Sequence, residues 1–165
     1  MPFYTMPSEA DLSCIAYKGL ADNYLNELAA QLGKEPEQIN ACIIKACLKA
    51  SLKDNIFTQV FKDSLDTPRA VFGMSVSGCV SFAETTGVDP MMRVKWARAH
   101  KLLFVMLRRA TGLKPWCYSD SRNGKANRLL TWFSFKHIPE KDITINGVPF
   151  YYYEHQLPVA ESKAE

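Results

Sequence analysis

The stretch GCVSFAETTGVDPMMRVKWARAHKLLFVMLRRATGLKPWCYS, residues 78–119, decides the architecture. It reads as strand, helix, strand. Residues 78–84 are rich in strand formers. Thr86-Gly87-Val88-Asp89-Pro90 breaks that strand and opens a helix, with proline tolerated in the first turn. Trp96, Ala99, Leu103, Met106, Leu107 and Ala110 recur at helical spacing as a buried stripe, and Gly112 is a C-terminal stop. Residues 115–119 return to strand character.

Working outward toward the N-terminus, residues 56–62 and 69–75 are two further strands, with Asp66-Thr67-Pro68 as the turn between them. Before them come two helices. The first has Ser8 as its N-cap, with Glu9 and Asp11 in a favourable first turn. It runs through Leu12, Ile15, Ala16, Leu20, Leu25, Leu28, Ala29 and Leu32 to a stop at Gly33. The second opens at Pro36 and presents Ile39, Cys42, Ile43, Ala46, Cys47 and Ala50 on its apolar face. Residues 2–5 are a candidate first strand.

Toward the C-terminus, Ser121-Arg122-Asn123-Gly124 is a loop. A short helix follows, with Ala126, Leu129, Leu130 and Phe133 on one face. Asn146-Gly147 lies between Ile143-Thr144-Ile145 and Val148-Pro149-Phe150-Tyr151, which is the preferred signature of a type I′ hairpin. Pro149 cannot donate to a ladder, so its amide position must face outward or lie at an edge. Strands in antiparallel runs, interrupted by two crossover helices, define an α+β domain. One domain spans 1–156, with a polar tail at 157–165.

Composition limits the setting. The chain has 165 residues, enough for one core, and 47% are hydrophobic. No apolar run is long enough to span a bilayer, and the start lacks the pattern of a signal peptide. The five cysteines form no CxxC pair, which points to a reducing cytoplasm without disulfides. Cys42 and Cys47 read as small buried hydrophobes. The net charge of +3 does not by itself call for a nucleic-acid partner. His100 sits at the rim of its helix's apolar stripe. His137 and His155 share no metal-ligand spacing with each other or with the cysteines, so no metal site is expected.

The order of elements resembles the GNAT (N-acyltransferase) superfamily. Four segments also resemble a phage branch of it, the acyltransferase-like internal virion protein A: residues 23–28, Ala70-Val71-Phe72-Gly73, Asn123 with the helix 129–135, and residues 145–150. The resemblance implies a mostly antiparallel sheet flanked by four helices. Its fourth and fifth strands, residues 78–84 and 115–119, are parallel and splay apart to admit acyl-CoA, here acetyl-CoA. The pantetheine arm would pair with the backbone of the fourth strand near Phe82 and Ala83. The pyrophosphate would rest at the helix start around Arg93, Val94 and Lys95, where N–H groups and the dipole suit an anion. Asn123 stands where the family often contacts the cofactor, and Glu84 where a carboxylate takes the proton of the attacking amine.

The family's glycine-rich phosphate loop is replaced here by Asp89-Pro90-Met91-Met92-Arg93. Leu130 and Ser134 stand in the places of its tyrosine acid and a glycine. Each candidate also has a plainer reading: Glu84 as a solvated strand end, Arg93 and Lys95 as a solvated helix face, Asn123 as a turn residue. Two functions from different classes follow. One is acyl transfer from acyl-CoA to an amine, in the host-cell cytoplasm. The other is a virion or host-interaction protein that keeps the fold without the chemistry, with residues 150–153 offering outward aromatics to a protein partner.

Overall fold

The computed structural model describes residues 7–157. The expected strand at 2–5 and the tail from 158 onward lie outside the described residues. Five α-helices occur among them, against the four expected: α1 (Glu9–Lys18), α2 (Asp22–Leu32), α3 (Ala41–Leu52), α4 (Pro90–Thr111) and α5 (Gly124–Trp132). The strands are β1 (Asn55–Lys62), β2 (Pro68–Ser75), β3 (Val80–Glu84), β4 (Trp116–Asp120), β5 (Phe135–His137), β6 (Ile143–Ile145) and β7 (Val148–His155).

The extra helix comes from a break in the long helix expected over residues 9–32. Ser8 caps α1 through a capping box with Asp11, as its sequence suggests. The helix then stops at Gly19, which takes a positive φ of 81°. Leu20 is buried and bridges Thr85, and the Ala21 N–H donates to the Glu84 carbonyl at 2.8 Å. The break ties the start of α2 to the end of β3, a long-range contact that outweighs continuous helical periodicity.

Three further local expectations are corrected. Pro36 opens a short 3-10 turn, and α3 begins after its N-cap Asn40, whose side chain accepts from the Ile43 N–H. The face it buries is Ile44 and Leu48, while Cys42, Ala46 and Ala50 are exposed. In α4 the buried residues are His100, Leu103 and Phe104, whereas Ala99, Met106 and Ala110 face outward. The helix expected to reach 135 ends at Trp132. Ser134 then turns at φ 70°, and Phe135 enters β5 to pair with the far end of β7.

β1, β2 and β3 form one antiparallel sheet, and β4, β7 and β5 form another, with β6 on the edge of β7. Helices α1 to α3 cover one face of the first sheet, over Val60, Val71 and Ala83. The opposite face is aromatic, joining Phe61, Phe72, Leu103, Phe104, Phe133 and Phe135. Phe72 is almost fully buried, and burying such a side chain contributes roughly 2–3 kcal/mol. β7 is a central strand, so the four aromatics at 150–153 pack inside the domain. Phe150, Tyr152 and Tyr153 are buried, and Tyr152 is covered by Trp116 and Tyr118.

The hairpin follows its sequence signature. Asn146 and Gly147 both take positive φ, 49° and 80°, and β6 pairs with β7 through Ile145 and Val148. Pro149 is exposed, and its carbonyl accepts from Ser121 just beyond the end of β4. A Cβ at Gly147 would meet open space, so Gly147→Val costs only the backbone strain of about 1–2 kcal/mol. Thermal unfolding should show a melting temperature lowered by a few degrees. An unchanged melting temperature would contradict the turn geometry.

Candidate functional site

The two sheets meet at β3 and β4, which run parallel and join at one end only. Cys79 bridges Trp116, and the Trp116 N–H donates to the Gly78 carbonyl at 2.9 Å. Beyond that point the strands diverge. The alternation of an antiparallel ladder fixes which backbone groups face the gap. Ser75 donates to the Cys79 carbonyl and Thr85 to the Arg69 carbonyl, so Cys79, Ser81, Ala83 and Thr85 turn their peptide groups toward β2. Val80 and Phe82 therefore turn theirs toward β4, while the Glu84 carbonyl on the same edge is taken by the Ala21 N–H. On the other side, the His155 N–H bonds the Pro115 carbonyl and the Ser121 N–H bonds the Pro149 carbonyl. By the same rule Trp116 and Tyr118 face β3, while the Asp120 N–H on that edge is taken by the Glu27 carboxylate.

Between these edges lies a cleft of about 390 Å³. Both strands line it, through Ser81, Phe82 and Ala83 on one side and Cys117, Tyr118 and Ser119 on the other. The Oγ of Ser119 is buried there without a hydrogen-bond partner. A wider groove of about 1290 Å³ runs past the C-terminal ends of the two strands, along α2 and the first turn of α4. Tyr24 lines both spaces. Its ring packs on Phe82, and burial, with Glu84 and Glu27 nearby, pushes its hydroxyl pKa up.

The residues singled out from the sequence divide between these spaces. Phe82 and Ala83 line the cleft, and of the two it is Phe82 whose amide faces it. Glu84 lines the groove and is buried at 7% exposure. It is not a solvated strand end, for the Arg93 guanidinium reaches from the first turn of α4 to bind its carboxylate. Val94 and Lys95 are exposed on that turn. Asn123 is buried; it caps α5 by accepting from the Ala126 N–H and donates to the Glu27 carboxylate at 3.2 Å. The N-terminus of α4 carries its own anion: the Asp89 carboxylate accepts from the Met91 N–H at 2.6 Å, and the Arg93 N–H bonds the Asp89 carbonyl.

Glu27 emerges only from the tertiary structure. It lines the cleft from α2 and accepts from Asn123 and from the Asp120 backbone N–H. Burial raises its pKa to about 7, against the two hydrogen bonds, which lower it. Its helical spacing from Tyr24 was visible in the sequence, but nothing there placed it opposite residues a hundred positions away.

No family model matches the chain, and no curated protein matches it. Solved structures do. An aminoglycoside acetyltransferase, AAC(6')-Ib in complex with ribostamycin and coenzyme A, superposes with a TM-score of 0.64 at 10% identity, over 92% of this chain and 90% of that one. The chain has the GNAT fold. A Bordetella pertussis protein described as a GNAT-family acetyltransferase matches with a TM-score of 0.55 at 14% identity, over 82% of this chain and 89% of its own. A spermidine N-acetyltransferase chimera from Vibrio cholerae matches with a TM-score of 0.54 at 17% identity, covering 92% of each chain. Within the GNAT fold, β3 and β4 are the splayed fourth and fifth strands expected from the sequence. Among the described residues, no helix is long and apolar enough to cross a membrane.

Proposed function

We propose that this protein transfers an acyl group from acyl-CoA to an amine. The observation that carries this reading is the single hydrogen-bonded junction between β3 and β4. It leaves the backbones of Phe82 and Tyr118 facing each other across the cleft. An amide-bearing arm has matching donors and acceptors on both edges, and the unpartnered Ser119 Oγ adds another. Bound there, acyl-CoA would supply a thioester carbonyl. The Phe82 N–H is the donor placed to stabilise negative charge on its oxygen.

The phosphate end fits less well. Asp89 already caps the α4 N-terminus, and Arg93 is held by Glu84. Affinity would therefore come from the cleft, because a helix terminus adds only about 0.3–1 kcal/mol against the roughly 8 kcal/mol of micromolar binding.

Those two features also favour a second reading, a GNAT-fold protein without catalysis that acts in a virion or on a host protein. The phage resemblance, carried by the sequence segments alone, supports it. Calorimetric titration with acetyl-CoA and with CoA separates the two. Transfer predicts binding by the wild type, preserved in Lys95→Ala and lost in Ser81→Phe, which fills the cleft. No heat of binding even at millimolar acetyl-CoA overturns the enzyme reading.

A further inference from the structure

The cleft is lined largely by apolar side chains. The side formed by α4 and α5 is hydrocarbon, through Phe104, Leu129 and Leu130. From α2 and α3 come further apolar side chains, Leu28, Ile44, Leu48 and Leu52, together with the polar groups Glu27, Gln31 and Ser51. Among the described residues, Glu27 is the only Asp, Glu, Lys, Arg or His in the lining. Among the described residues, the nearby cations that could neutralise it are committed elsewhere. Arg122 is engaged by Asp120 with contacts down to 2.6 Å, and Arg93 by Glu84. The titratable groups that face Glu27 are Tyr24 on its own helix, and Asp120 and Cys117 on β4. None of these brings a positive charge.

A half-buried acid with no counter-ion, set in a cavity lined by no other charged side chain, selects for a cation and against an anion. We infer that the α2–α3 side of the cleft is the acceptor subsite, that it takes a primary alkylammonium with an apolar stem and no carboxylate, and that Glu27 accepts its proton. The inference rests on the acyl-transfer reading for its chemistry, though not for the binding it predicts.

The step balances as follows. The ammonium gives one proton to the Glu27 carboxylate and becomes a free amine. Its nitrogen attacks the thioester carbonyl carbon; the C–N bond forms and the C–S bond breaks. The second N–H proton goes to the departing thiolate, and Glu27 returns its own proton to solvent. A pKa of about 7 suits a group that must take and release a proton near neutrality. Asn123 and the Asp120 N–H hold the carboxylate toward the cleft, which makes Asn123 a positioning residue.

The test compares two probes that differ by one carboxylate, 2-phenylethylamine and phenylalanine, binding to the protein without cofactor at pH 8. Wild type should bind the amine at least about tenfold more tightly, as expected when a half-buried carboxylate pairs with a charged donor. Glu27→Gln retains an acceptor for Asn123 and should erase the preference. Equal binding of the two probes, no amine binding at millimolar concentration, or an undiminished preference in Glu27→Gln would each overturn the inference. The wild-type comparison stands even if the variant folds poorly. Acetyl-CoA binding without amine preference would sink the acceptor assignment alone; amine preference without acetyl-CoA binding would sink the transfer reading alone.

Discussion

Gly78→Ala should destabilise the protein by about 3 kcal/mol or more. Gly78 takes a φ of 85°, which costs a residue with a side chain roughly 1–2 kcal/mol. The added Cβ would also lie 2.7 Å from the Lys114 carbonyl oxygen, a backbone atom that cannot swing away. The collision falls at the one place where β3 and β4 are joined, and it pushes apart the Trp116 N–H and the Gly78 carbonyl. Losing that bond costs on the order of 1 kcal/mol more. Gly87→Ala is the control. It shares a positive φ of 71° but meets nothing within 4 Å, so it carries the strain without the clash. Urea unfolding of the three proteins reads the difference directly. If Gly78→Ala is no worse than Gly87→Ala, the backbone at the junction is not held as close as the 2.7 Å approach requires.

The second large effect is on acid stability. His100 is 4% exposed, ringed by Phe61, Phe72, Phe82 and Phe133. Its Nδ1 lies 2.8 Å from the Trp96 carbonyl, and its Nε2 has no partner. Burial lowers its pKa from 6.5 to about 4. Because the folded value lies below the unfolded one, the neutral ring favours folding. That contribution is complete above pH 6.5 and is lost as the pH falls toward 4. The shift corresponds to about 3 kcal/mol. His155, fully buried beside Phe104 and Phe135, is lowered to about 4 by burial and by Arg108, and acts in the same direction.

Glu27 acts in the opposite sense. Its raised pKa means that stability present below 4.5 is lost as the pH rises through 7. The wild-type profile therefore mixes both, and the variant difference isolates one. His100→Phe should gain about 3 kcal/mol on wild type at pH 4 relative to pH 7, measured by chemical unfolding at each pH. Parallel losses in the two proteins would mean that His100 is not held neutral in the core.

The amino-acid order carried much of this fold, through signals that act over a few residues. Ser8 with Asp11, Asn146 with Gly147, and Gly112 after α4 each satisfy or bend the backbone locally, so their roles could be read without knowing the rest. The strand–helix–strand unit at residues 78–119 was likewise legible, because strand formers, a breaker and a helical stripe follow one another directly. The cleft residues Phe82 and Ala83 came from aligning that unit with a familiar order of elements.

What the sequence did not reveal depends on contacts between distant segments. The break at Gly19 exists because Leu20 and Ala21 bond the end of β3. β5 forms because β7 continues to His155 and offers it a free edge. His100 is a core residue because the second aromatic face closes over it, which helical spacing alone placed at a rim. Glu84 is buried because Arg93 lies one helical turn into α4 and can reach it. Among the described residues Glu27 becomes the only acid in the cleft because the β4–α5 turn brings Asp120 and Asn123 against α2. A carboxylate's pKa and role are set by the water and charges around it, and these are fixed only when strands far apart in sequence diverge beside one another.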